Sequence, residues 1–200
     1  MPRPPGIRPE NLVRHPRYGA EPRPSGLKVA EAEIRRGHWR LGSDTLFPDT
    51  VLVADTAKQN YAIYPRAYYV DVLRHCRNCR RPFIFFAAEQ RYWFETLRLF
   101  VDADCVHCPD CRRESRSVHR RLRRYSDVMA KGDVATRKEL MFLVDDAIYL
   151  VERGVLKNLS QVGALKNRAR QLIAEYSGVD LLAKAIDAAR QAQRQDQEPG

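Results

Sequence analysis

The sequence predicts an α+β chain. It has a small module of short β-strands held by two Cys-x-x-Cys turns, an extended arm before it, and an antiparallel helical bundle or hairpin after it. Three observations predict this class. All five cysteines fall in two short stretches, HCRNC from His75 and DCVHCPDC from Asp104. β-Branched and aromatic residues crowd the segments near the first stretch: TVLVAD (50–55), AYYVDVL (67–73) and FIFF (83–86). Beyond residue 114, apolar residues recur at helical spacing between glycines and capping residues.

Residues 1–26 are Pro-rich with few apolar side chains, an extended arm that orders only against another surface. A short helix is expected within 27–40, carrying Val29, Ala32 and Ile34 and ended by Gly37. Strand character follows at 50–55 and at YAIY (61–64). Beyond Pro65 a strand alternates Tyr68, Val70 and Val72 against Tyr69, Asp71 and Leu73 and runs into the first cysteine pair. FIFF leaves that pair as a second strand. Residues 87–100 read as a helix, with Tyr92, Phe94, Leu97 and Phe100 on one face. After the second cysteine cluster a long basic helix extends to Gly132. Three amphipathic helices follow. Asp133 caps the first, which stops at Gly154; Ser160 caps the second, which stops at Gly178; Asp180 opens the third. The domain reading is an arm at 1–26, a cysteine module with its strands at 27–114, a helical region at 115–195, and a frayed tail at 196–200. Short loops between the helices imply antiparallel packing.

The cysteine spacing carries the chemistry. A Cys-x-x-Cys turn points two sulfurs at one ion, and two such turns complete a tetrahedron around zinc. Cys76 and Cys79 form one turn; Cys108 and Cys111 form the other, with 28 residues between. Cys105 with Cys108 is a rival second pair. Cys108 with Cys111 is preferred because Pro109 fixes the turn and a helix begins just after it, its amides facing the thiolates. Cys105 is then an extra thiol: a small buried hydrophobe, a substitute ligand or a redox sensor. His75 and His107 flank ligands and remain possible substitutes. Nearby arginines (Arg77, Arg80, Arg81, Arg112 and Arg113) offset the charge of a zinc tetrathiolate. Four thiolates leave no open coordination position, so the metal is expected to be structural.

Several activities are excluded on pattern. A zinc deaminase needs His-x-Glu and Pro-Cys-x-x-Cys; neither His38 nor His107 is followed by such a Glu. Phosphate-binding loops, the Gly-x-Ser-x-Gly elbow and His-Glu-x-x-His are all missing. Asp145–Asp146 lies within a helix and reads as a solvated face or cap-region charge rather than an acid pair.

At Cys76, Cys79, Phe83, Phe85, Glu89, Gln90, Tyr92, Trp93, Cys108, Cys111 and Arg112 the sequence resembles the bacterial probable zinc-ribbon domain, over about residues 70–113. The resemblance implies a zinc-ribbon or treble-clef-like fold and supports the same four ligands; it implies no activity. Two departures stand out: Arg80 replaces the glycine often found after the second cysteine, and Cys105 is an addition. Phe83, Phe85, Tyr92, Trp93 and Phe100 are expected to pack around the knuckles. Glu89 and Gln90 are expected to cap a helix or bond knuckle amides. Tyr61, Tyr64, Tyr68 and Tyr69 around Arg66 offer base-stacking candidates, with packing on the module the plainer reading.

Charge points to partners. Of the net +10, residues 74–124 carry +7, 1–73 carry +3 and 125–200 are neutral. A non-enzymatic zinc adaptor is therefore expected to contact nucleic acid or a nucleoprotein through Arg112, Arg113, Arg120, Arg121, Arg123 and Arg124. The alternative is a protein–protein or self-association module that uses the neutral C-terminal helices with the zinc ribbon as scaffold. A redox enzyme centred on Cys105 is disfavoured, because a closed tetrathiolate lacks a substrate position. No apolar run spans a membrane and no secretory leader is read, so a cytoplasmic location, where thiols stay reduced, is expected.

Overall fold

A computed structural model of the chain describes residues 11–42, 44–132 and 136–195. Residues 1–10 of the arm, the Asp133 cap and the 196–200 tail lie outside them. The fold is α+β. The chain divides into two compact units, Met1–Arg113 and Glu114–Gly200.

The first unit is built on a three-stranded antiparallel sheet of order β1-β2-β3, from β1 (Thr45–Val53), β2 (Tyr68–His75) and β3 (Pro82–Phe85). The β2 alternation sorts side chains to two faces. Val70 and Val72 join Ile34, Leu41, Leu46 and Val51 in one core, under α1 (Glu31–Arg36). Tyr69 points the other way, onto Ala87, Phe94 and Val101. Helix α1 ends at Gly37, where a Cβ would lie 2.9 Å from the Tyr68 ring. The β1–β2 register shifts between Phe47 and Leu52. Pro48 lies in that interval and cannot donate to a ladder, so a bulge is the physical answer. Thr50 mends it: its hydroxyl donates to Phe47 O (2.7 Å) and accepts from the Asp71 amide (2.8 Å).

Described residues of the arm lie on this module. The Val13 amide donates to Pro82 O (2.8 Å), and Val13 is buried beside Phe83. His15 stacks on Tyr18, which leans on Phe86. The Arg23 amide donates to the buried Asp71 carboxylate (2.9 Å). That carboxylate also accepts from Ala87 N (2.6 Å), the first residue of α2 (Ala87–Arg91), and so caps the helix from a neighbouring strand. Burial pushes Asp71 up to about 6, against the pull of those two amides.

Two expectations are corrected. Residues 61–64 form no strand; Asn60 makes a single bridge to Phe100, and Tyr61, Ile63 and Tyr64 are exposed. The helix expected over 87–100 ends much earlier: α2 passes at once into a π-turn, Tyr92–Thr96. The wider turn aims Trp93 and Phe94 inward and leaves Tyr92, Leu97 and Phe100 exposed.

The second unit packs α4 (Arg137–Glu152), α5 (Leu159–Leu172) and α6 (Gly178–Gln195) with the later turns of α3 (Pro109–Ala130). Tyr125 and Val128 from α3 meet Leu143, Val144, Leu150, Leu165 and Leu182 in one core. The reading of Asp145–Asp146 as a solvated face is also corrected. Asp146 is fully buried and takes Arg121 (2.8 Å) and Arg124 (2.5 Å), while Asp145 accepts from the Tyr176 hydroxyl (2.5 Å). Among the described residues no helix is long and apolar enough to cross a membrane.

Candidate metal centre

The first knuckle is the β2–β3 hairpin turn. His75 pairs with Pro82 across the ladder. The turn between them is closed by Cys76 N to Arg81 O (3.0 Å) and Arg80 N to Cys76 O (2.9 Å). Closure puts Arg80 in the left-handed region, φ 62°, the conformation that glycine adopts most easily. The second knuckle is the start of α3. Pro109 is its first residue, where a missing N–H leaves no orphan, and Cys108 and Cys111 straddle the first turn. Arg77 N donates to Val106 O (2.9 Å), tying the hairpin turn to the segment that leads into the helix.

Four sulfurs converge. One ligand atom from each of Cys76, Cys79, Cys108 and Cys111 lies within 4.8 Å of the other three. A tetrahedron with Zn–S bonds of about 2.3 Å has S···S edges of about 3.8 Å. The Cys79–Cys108 separation is 3.7 Å, far beyond a disulfide bond, and all five cysteines are free. The donor set therefore suits a tetrahedral, thiophilic ion.

The protonation pattern is that of four thiols in one small space. Burial raises Cys76, but the amides of Cys108, Cys79 and Asn78 outweigh it and bring the thiol down to about 6. Burial pushes Cys108 up to about 12, with neighbouring thiols adding to it. One proton leaves readily, and later ones leave against accumulating negative charge. A divalent cation removes that conflict, so binding and proton release are coupled. The Asn78 side chain donates to Cys111 Sγ (3.4 Å).

Cys105 stands outside the group of four. It is buried, its Sγ lies 3.6 Å from His107 O, and burial pushes it up to about 12. His75 and His107 are exposed and outside the group.

The knuckles rest on an aromatic and ionic brace that the sequence reading did not assemble. Phe83 and Phe85 pack with Cys76, Cys105 and Cys108. Trp93 lies 5.0 Å from Phe85, centroid to centroid, and Arg112 sits 5.1 Å over the Trp93 ring. Arg112 is held by Glu89 (2.8 Å), which also faces His15 Nε2 (3.4 Å). Gln90 donates to Val70 O (2.6 Å) and Phe85 O (3.0 Å), stitching two strands together. Glu89 and Gln90 thus brace the module rather than cap a helix. Their adjacency was visible in the sequence; their partners Val70, Arg112 and His15, 20 or more residues away, were not.

The six arginines expected to meet an anionic partner divide. Arg112 is turned inward onto Glu89 and Trp93, and Arg113 pairs with Asp110 (2.6 Å). Arg121 and Arg124 converge on Asp146. Arg120 and Arg123 are exposed and, among the described residues, make no ion pair; Arg116 shares both properties.

The family described as "Probable treble clef domain" matches residues 70–120. That segment runs from β2 through both knuckles into α3. No curated protein and no solved structure matches the chain.

Proposed function

We propose that the protein is a non-enzymatic adaptor. In this reading Cys76, Cys79, Cys108 and Cys111 hold one structural zinc ion, and an arginine face of α3 engages the phosphates of a nucleic acid or nucleoprotein. The convergence of four sulfurs carries the first half. Zinc bound by four thiolates has no vacant position for a substrate, so its contribution is to lock the hairpin turn to the helix. A reducing compartment such as the cytoplasm keeps those thiols available.

The second half rests on which arginines of α3 make no ion pair among the described residues. Arg116, Arg120 and Arg123 fall within about 60° of arc on one helix, since successive residues are about 100° apart. Guanidinium groups on one stripe suit phosphate oxygens, and no base-reading motif accompanies them, so affinity without sequence preference follows. Arg121 and Arg124 hold the fold, through Asp146, more than any ligand. The test is a salt titration of labelled RNA and DNA against the full chain. Binding is expected to weaken steeply with salt. The triple variant Arg116→Gln/Arg120→Gln/Arg123→Gln should flatten the log–log slope by up to about three. Salt-independent binding, or none, would end this half and leave the zinc half standing.

One observation favours a second reading, a protein partner on the helical unit. Between α4 and α6 lies a groove of about 1000 Å³, lined by Ile148, Val151, Leu156, Leu181 and Ala185. An amphipathic helix is the chemistry such a groove accepts.

A further inference from the structure

The first unit exposes six large apolar side chains on two neighbouring loops: Tyr61, Ile63 and Tyr64 on one, Leu97, Leu99 and Phe100 on the other. Ile63 is 76% exposed and Tyr64 70%. The loops are fastened to each other. Asn60 bridges Phe100, Val101 N donates to Asn60 O (2.9 Å), and the Asn60 side chain donates to Arg98 O (3.4 Å). Farther along, the buried Arg66 guanidinium donates to Val101 O (2.8 Å) while packing over Phe94 (4.5 Å). The apolar residues therefore stand on a braced frame. Between them, Arg98 holds a left-handed backbone, φ 52°, and strained positions of this kind persist where the surroundings enforce them.

The chemistry of the patch selects its occupant. Segments 55–66 and 95–102 carry three acidic and three basic residues, a net charge of zero in a chain of +10. Bases stack on aromatics within a basic groove, and here the aliphatic Ile63, Leu97 and Leu99 interrupt the aromatics on neutral ground. A nucleic acid is thus poorly served. A second copy is well served. At these exposures the six residues leave about 600 Å² accessible, backbone and the two tyrosine hydroxyls included, the upper end for a patch on a monomer. Two copies would bury at most about 1,200 Å² together through these residues, which reaches the lower bound of a stable specific interface. Both signs of charge sit at the edge, with Glu95 and Asp102 near Arg98, so a two-fold axis can set Arg98 of one copy against a carboxylate of the other.

We propose that this patch is the self-association face of the protein, two copies meeting through their 61–64 and 97–100 loops across a two-fold axis. The inference is separate from phosphate binding by α3. It is tested by sedimentation velocity of the zinc-loaded full chain over a concentration series, with nuclease and high salt to remove nucleic-acid bridging. The expected result is a monomer–dimer equilibrium that the Ile63→Glu/Tyr64→Glu variant weakens roughly hundredfold, with zinc content unchanged. Both positions are exposed, so the substitutions disturb no core. Leu181→Glu, in the α4–α6 groove, should leave the dimer intact. A wild-type chain that stays monomeric, a dimer as tight in the double variant, or a dimer lost only with Leu181→Glu would each overturn the proposal.

Discussion

His38 shows how one buried side chain sets a pH limit. It precedes the short 3-10 turn Trp39–Leu41, and its Nδ1 accepts from the Arg40 amide. Burial first, then the Arg66 charge and that of Arg40, lower its pKa from 6.5 to about 4; Asp102, 3.3 Å from Nε2, pulls the other way without prevailing. Above pH 6.5 the imidazole is neutral whether the chain is folded or not, and nothing is lost. Between 6.5 and 4 the unfolded chain takes up a proton that the folded one refuses, so stability falls with falling pH, by up to about 3 kcal/mol across the window. His38→Gln keeps an acceptor for the Arg40 amide and removes the titration. Urea unfolding at pH 7 and again near pH 4 should show the variant losing less stability than the wild type over that interval. Equal losses would mean that His38 is not the group responsible.

At the scale of elements, α3 and α4 are joined by a buried charge. Asp146 has no exposed side-chain surface, and Arg121 and Arg124 both reach it from α3. Arg121 also lies 4.3 Å over the Tyr149 ring, and Glu114 takes Tyr149 and Arg153. Removing Asp146 leaves two arginines that are 31% and 45% exposed and so partly solvated. Asp146→Ala should therefore cost about 1–3 kcal/mol, the range for hydrogen bonds to a charged group, read as a lower thermal midpoint of the helical unit by circular dichroism. A change below about 0.5 kcal/mol would show that the Asp146 contacts contribute nothing beyond what solvent supplies to the arginines. Element positions were legible wherever local chemistry fixed them. The helix N-termini were less so, because several polar residues compete for each cap. Thr136 caps α4 in a reciprocal pair with Glu139, and Asn158, not Ser160, caps α5. The earlier start lets both Leu159 and Val162 reach the core. The π-turn at Tyr92–Thr96 was illegible for a different reason. Helical spacing suggested Tyr92, Phe94, Leu97 and Phe100 as the inner face, whereas tertiary packing of Trp93 on Phe85 and Phe94 on Tyr69 chose another. Asp146 was misread because its partners lie 22 and 25 residues back along the chain, and local pattern carries no signal at that range.

At the scale of the whole molecule, two units divide the work of folding differently. The helical unit has a sizeable apolar core of its own. The first unit spreads its apolar residues over three small clusters, one of which contains three cysteines. Such a unit gains from a metal what it lacks in core. Cysteine spacing made the candidate centre readable because each Cys-x-x-Cys turn is a local geometry; the meeting of the turns and the Glu89–Arg112–Trp93 brace are tertiary and had to be seen in the fold. The central claim is that one zinc ion sits among Cys76, Cys79, Cys108 and Cys111. Zinc K-edge absorption spectroscopy on the purified full chain, with metal analysis of the same sample, addresses it most directly. The expected result is one zinc per chain with four sulfur neighbours at about 2.3 Å, unchanged in Cys105→Ser and lost in Cys76→Ser/Cys108→Ser. A metal-free chain, nitrogen or oxygen in the first shell, or a spectrum altered by Cys105→Ser would contradict it.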